Sequence, residues 1–177
     1  CPDYTGMLET LKMAFVATIL GFIGAISLSS FAAKNLVPKS VLVPTRLLLS
    51  FTRCLPSIIW AIVFVIIVGI GPLAGVLAMT LYTIGYLGKF QYEEIEGINR
   101  EPLEAARAMG LRHSEIVTKV VIPESGNTFL SQILFMFEYN VRHGTVLGLV
   151  GAGGIGLHID RAMELDLYNH VMTYLIV

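Results

Sequence analysis

A chain of 177 residues with 55% hydrophobic and only 14% charged side chains has a mean hydropathy of +0.73. Soluble domains carry about 25% charged residues, so this is a membrane chain, and its length suits one domain. The formal net charge of -1 offers no basis for a nucleic-acid partner, and two cysteines, Cys1 and Cys54, give no support for a disulfide framework or a cysteine-held metal.

A bilayer core of about 30 Å takes roughly 20 apolar residues per helix. Residues 11–33 supply a first span, with Gly21, Gly24, Ala25, Ser27, Ser29 and Ser30 as small residues that let another helix approach closely. Residues 34–46 form a short connection with Lys34, Lys39 and Arg46 and no acid, which the positive-inside rule places in the cytoplasm. A second span follows at 47–68. Pro56 should kink it and free a backbone carbonyl, while Arg53 either snorkels to the headgroups or serves transport.

Gly69, Gly71 and Pro72 mark a turn on the far side, and residues 73–90 return the chain to the cytoplasm. Residues 91–127 are the one long polar stretch. A fourth span at 128–150 carries Glu138, Asn140, Arg142 and His143 at its middle, where polar groups face a bundle interior or a water-filled path. It runs into a glycine-rich stretch, 148–156, at the outer side. Asp160, Arg161, Glu164 and Asp166 read as a polar outer loop, and an incomplete fifth span opens near Leu167. The N-terminus then lies outside. The closing apolar run, 171–177, is too short to cross a bilayer, so a longer parent chain is expected at both ends.

Within the polar stretch, Asn99 or Glu101 can cap a helix that opens with Pro102 and ends at Gly110, with Leu103, Ala106 and Met109 on one side. A second short helix, 114–121, presents Ile116, Val117, Val120 and Val121 on one face before Pro123 stops it. Small Ala105 and Ala106 between Glu104 and Arg107 suit a knob that enters another protein's groove; a pair of interfacial helices covering the bundle is the alternative.

The order of residues favours the knob. Glu104-Ala105-Ala106, three residues, Gly110, nine residues and then Val120-Val121-Ile122-Pro123 resembles the EAA loop of ATP-binding cassette importer permeases, with Val120 and Ile122 where Ile and Leu are usual. Arg53-Cys54-Leu55-Pro56, Gly71-Pro72-Leu73-Ala74-Gly75 and Asn140-Val141-Arg142 leading to Gly151-Ala152-Gly153-Gly154-Ile155-Gly156 resemble phosphonate importer permeases in particular. The resemblance implies an all-α, polytopic transmembrane bundle, the type I importer core, with about five spans and a cytoplasmic coupling helix. It implies a coupling role for Glu104, Ala105, Ala106, Arg107, Gly110 and Pro123. It also implies two cytoplasmic ATPase subunits that hold ATP and Mg, a second copy of the permease, a periplasmic binding protein and surrounding lipid, with no cofactor on this chain.

Glu138 and Arg142, at i and i+4, either neutralise each other or leave Arg142, with Asn140 and His143, to offer a passing anion a weak site. Gly151, Gly153 and Gly156 match the spacing of a dinucleotide fingerprint, but that motif needs a strand, a helix and a soluble βαβ unit, which membrane spans do not provide. Gly151, Gly153 and Gly154 are read instead as a bend at the outer mouth, either a gate or a packing device. The four histidines have no ligand spacing and no P-loop is present, so ATP chemistry is expected on another chain. Two rivals remain: an intramembrane enzyme built on Glu138 and His143, and a passive channel or scaffold.

Overall fold

The computed structural model describes residues 5–165, and every regular element among them is a helix. Helices α1 (Thr5–Ala32) and α4 (Pro72–Gly97) are both long and apolar enough to cross a membrane. At 1.5 Å per residue, the 28 residues of α1 reach about 42 Å. These two helices form the packed centre. Gly21 of α1 lies so close to Thr83 that a Cβ would collide with its side chain, and Gly24 stands against Ile84. Ala25, Ser29 and Ser30 are buried as the small-residue reading requires, whereas Ser27 is exposed.

The second span is broken rather than kinked. Helix α2 (Lys39–Cys54) begins well before residue 47 and includes Pro44, and α3 (Ser57–Val68) leaves it at 89°. The residue before a proline avoids the helical region, and Leu55 accordingly is extended. Pro56 has no N–H for the carbonyl of Thr52, four residues back. That carbonyl accepts a hydrogen bond from the indole Nε1 of Trp60 at 3.1 Å instead, so the acceptor that the proline frees is satisfied. Leu49 and Thr52 of α2 press on Gly88 and Gly85 of α4.

Helix α4 extends seven residues past the expected end of its span. After it come α5 (Arg100–Ala108), α6 (His113–Ile116), a π-helical turn (Val117–Val121), a single turn α7 (Ile122–Glu124) and the long α8 (Gly126–Gly148). Pro123 therefore does not stop the second helix. The wider π turn, in which the Ile122 N–H reaches the Val117 carbonyl, precedes it, and Pro123 falls in the first turn of α7, where a missing N–H costs little.

The expected outer loop is also helical. Residues Gly154–Glu164 form α9, which packs on α1 and α8 because glycines remove the obstacles. A Cβ on Gly156 would strike the Thr145 carbonyl and the Gly148 Cα, and the Thr10 hydroxyl of α1 accepts the Ile155 N–H at 2.9 Å, capping α9 from another helix. Asp160, Arg161 and Glu164 lie on this helix; Asp166 and the fifth span lie outside the described residues.

Candidate coupling and pathway sites

Helix α5 meets the bundle through Leu103 and Ala106, which join Ala33, Ile95, Ile98, Ile116, Val121 and Phe129 in one buried cluster. Gly110, at φ +74°, ends it: the Gly110 N–H reaches the Arg107 carbonyl at 2.9 Å and the Leu111 N–H reaches that of Ala106 at 3.2 Å. This pair of bonds is a Schellman closure, and Leu111 packs on the same cluster. Met109 is 71% exposed, unlike the expectation that it shares a side with Leu103 and Ala106. At 100° per residue it has drifted about 120° from Leu103, and it lies past the last helical residue.

The outward edge of α5 consequently consists of Glu104, Ala105, Ala108 and Met109, while Ala106 is fully buried and secures the helix from below. Arg107 donates from Nη2 to the carbonyl of Asn35 in the α1–α2 loop. The same loop is tied to the end of α4. Glu96 accepts the Lys34 backbone N–H at 2.8 Å, stands 3.2 Å from Lys34 Nζ, and pairs with Arg46, whose Nε also donates to the Ala32 carbonyl at 2.9 Å. Asn35 Nδ2 donates to the Glu96 carbonyl at 3.1 Å. Glu96 thus anchors a clasp of α1, α2 and α4 on which α5 leans. The sequence signal for it was the acid-free loop itself, which needs a carboxylate from elsewhere.

Helix α6 is closed by the Glu115 carboxylate, which accepts the Arg112 N–H at 2.9 Å; that bond, aided by Lys119, holds its pKa below the usual carboxylate range. His113 stacks on Phe31 with ring centroids 5.1 Å apart and lies 3.3 Å from the Ser30 hydroxyl. Partial burial there pushes its pKa below 6.5.

On α8 the four polar residues separate. Glu138 and Arg142 pair with each other on an exposed face, at 67% and 73% side-chain exposure. Asn140, two residues from each, points the other way by helical geometry and is 1% exposed. Its Nδ2 donates to Thr18 Oγ1 of α1 and Thr83 Oγ1 of α4, both at 3.0 Å. It therefore stands apart from Arg142 and joins three helices. His143 stacks on Tyr139 at 3.8 Å, and Tyr139, Tyr82 and Tyr86 form a stacked ladder with the Tyr139 and Tyr82 hydroxyls 3.0 Å apart. The i, i+4 pairs Tyr82/Tyr86 and Tyr139/His143 were the readable trace of that ladder.

At the opposite end from α5, Gly151 and Gly153 in the loop between α8 and α9, and Gly154 at the start of α9, stand at φ +84°, +82° and +74°. It seats against the α3–α4 turn, where the Gly71 N–H reaches the Gly151 carbonyl at 2.9 Å, and the Ala152 carbonyl abuts Gly75. The three glycines are thus packed into the bundle end. No group of three or more potential metal ligands occurs among the described residues.

Residues 25–177 match the family described as the binding-protein-dependent transport system inner membrane component. The chain belongs to this family. Among related transporter permeases, the phosphite transport system permease protein PtxC of Stutzerimonas stutzeri is 35% identical over 99% of this chain and 67% of its own length. The phosphate-import permease protein PhnE of Mycolicibacterium smegmatis is 36% identical over 97% of this chain and 33% of its own. The chain thus spans between a third and two thirds of these two relatives. In fold, this permease superposes on the MetNI methionine ABC transporter with a TM-score of 0.84 at 24% identity, covering 99% of this chain and 87% of that one.

Proposed function

We propose that this permease is the translocation subunit of an ATP-driven importer for a phosphorus oxyanion, phosphite or phosphonate being the nearest candidates. The observation that carries the reading is α5: a nine-residue helix closed by a Schellman turn, its small-residue edge outward, packed on α6 and the π turn, and sharing one buried cluster with Ala33, Ile95 and Phe129 at the ends of the long helices. Such a knob can be pushed without unfolding, and the bundle must follow.

In this reading two cytoplasmic ATPase subunits hold ATP and Mg, and each receives a knob at Glu104, Ala105, Arg107 and Gly110; buried Ala106 secures it from below, and exposed Pro123 stands in the turn that leads on to α8. The end bearing α5 is cytoplasmic and the glycine end is periplasmic, where a binding protein would deliver cargo beside Gly151, Gly153 and Gly154. Charges on a lipid-facing surface are costly, so the exposed Glu138–Arg142 face turns to a second copy of the chain rather than to lipid. Arg142 and His143 then border a path between the copies, and Glu138 keeps Arg142 from trapping an anion. Asn140 holds the helices behind that path.

Reconstitution with the ATPase and binding protein tests the proposal. Cargo-stimulated ATP hydrolysis should vanish in Glu104→Lys and Gly110→Pro while the membrane subunit still assembles. Undiminished stimulation in both would overturn the coupling role. Normal uptake by both Arg142→Ala and Arg142→Lys would remove Arg142 from the path.

A further inference from the structure

A cleft of about 200 Å³ lies between α5 and the α1–α2 loop, lined by Lys34, Asn35, Arg100, Leu103, Glu104 and Arg107. Positions 100, 103, 104 and 107 share one helical face, so both arginines stand on one wall and Lys34 on the other. Three cations meet one carboxylate there. Lys34 is shared with Glu96, and Arg107 is oriented by its bond to the Asn35 carbonyl. Arg100 makes no ion pair with any described residue.

We propose that this cleft binds a phosphate-class oxyanion that bridges Lys34 to Arg100 and Arg107. Its volume is several times the roughly 30 Å³ that a water occupies in the liquid, enough for a tetrahedral anion with part of its hydration. Guanidinium forks match the oxygen pairs of such a group, and donors arriving from two walls suit a tetrahedral ligand better than a planar carboxylate. Cations gathered in a recess raise the local concentration of anions, while Glu104 on the same wall keeps the affinity modest. The site is separate from the Arg142 face, which belongs to the other half of the proposed path. Its placement on the cytoplasmic side rests on the transport reading; binding itself does not.

The test is calorimetric titration of inorganic phosphate into the full-length protein in phosphatidylcholine nanodiscs, with hydrogen exchange followed in parallel. Phosphate should slow exchange at residues 33–38 and 100–107. Arg100→Gln and Lys34→Gln should each weaken binding about tenfold, the worth of one charge-assisted hydrogen bond, Arg100→Lys should retain part of it, and Lys39→Gln, exposed and outside the cleft, should not change it. A second arm uses nanodiscs containing phosphatidylglycerol and mass spectrometry of retained lipid. Loss of phosphatidylglycerol retention in Arg100→Gln, with little response to free phosphate, assigns the same site to a lipid headgroup. The proposal is overturned if neither phosphate nor phosphatidylglycerol responds to Arg100→Gln or Lys34→Gln, as when an acidic side chain of a partner protein fills the cleft. It is equally overturned if only Arg142→Gln abolishes phosphate binding.

Discussion

Replacing Asn140 by alanine separates a structural role from a transport role in a single residue. The side chain gives two hydrogen bonds, to Thr18 and Thr83, and is 1% exposed. Interhelical hydrogen bonds in membrane proteins average about 0.6 kcal/mol each, which gives about 1.2 kcal/mol for the pair. Thr18 is not stranded, because its Oγ1 also donates to the Ala14 carbonyl at 2.7 Å, whereas the buried Thr83 hydroxyl, bonded to Asn140, loses its partner and adds to the cost. A small cavity where three helices meet raises the loss to about 2 kcal/mol. For a chain of this size that corresponds to a fall of roughly 4–8 °C in melting temperature, measured in detergent or nanodiscs. The apparent affinity of transport for cargo should stay within twofold, since Asn140 faces away from Arg142. A variant that melts like the parent but needs tenfold more cargo would refute this reasoning and return Asn140 to the path.

Gly156→Ala should lower stability by about 1–3 kcal/mol, because its Cβ meets backbone atoms of Thr145 and Gly148 that cannot swing aside, whereas Gly126→Ala, with open space at the Cβ, should be neutral or raise it by up to about 1 kcal/mol; thermal melting compares the two. Glu96→Gln leaves Lys34 and Arg46 without their charged partner and should cost about 1 kcal/mol, discounted for the exposure of Lys34, while raising the ATP spent per solute imported; an unchanged ratio would show the clasp to be passive. His113 has a folded-state pKa below its unfolded value, so its neutral form stabilises the stack on Phe31 fully above about pH 6.5, and this contribution is lost as pH falls through the folded pKa. Hydrogen-exchange protection factors across residues 100–124, which already allow for the intrinsic slowing of amide exchange in acid, should therefore fall on acidification in the parent and much less in His113→Gln; an equal fall in both would exclude His113 as the cause.

Features that depend on one local rule were readable from the chain. Gly110 announced the end of α5, Pro56 announced a kink and a freed carbonyl though not the 89° break, and the small residues of α1 announced its close partner. What was not readable needed a partner distant in sequence. Asp160, Arg161 and Glu164 looked like a loop because their charges hid that Gly148 and Gly156 let α9 press on α8, with Thr10 supplying its cap. Asn140 looked like a neighbour of Arg142, and only helical phase assigns it to Thr18 and Thr83. Glu96 stood among several glutamates, and the Lys34 and Arg46 that select it lie 62 and 50 residues away. Proline at 123 misled for a different reason: a π turn just before it shifts the hydrogen-bond register, so the helix passes through a residue that ordinarily ends one.

That register shift bears on how motion of α5 could travel. Only Ser125 separates α7 from α8; the Ser125 N–H reaches the Val121 carbonyl at 3.0 Å and the Phe129 N–H reaches the Ser125 carbonyl at 2.9 Å, so no slack loop intervenes. Phe129, at the base of α8, is buried in the same cluster as Leu103 and Ala106, while Gly148, at its top, is pressed against α9. A displacement of α5 would therefore reach α8 through the shared buried cluster and the chain of α6, the π turn and α7 at one end, and leave it through glycine contacts at the other. Between these ends the Glu138–Arg142 pair rides on the outward face of the same helix, opposite the Asn140 bonds that hold it to α1 and α4. The helix that begins against the proposed force-receiving element thus carries the charges proposed to border the path, and its Asn140 bonds are the restraint against which any rotation must work.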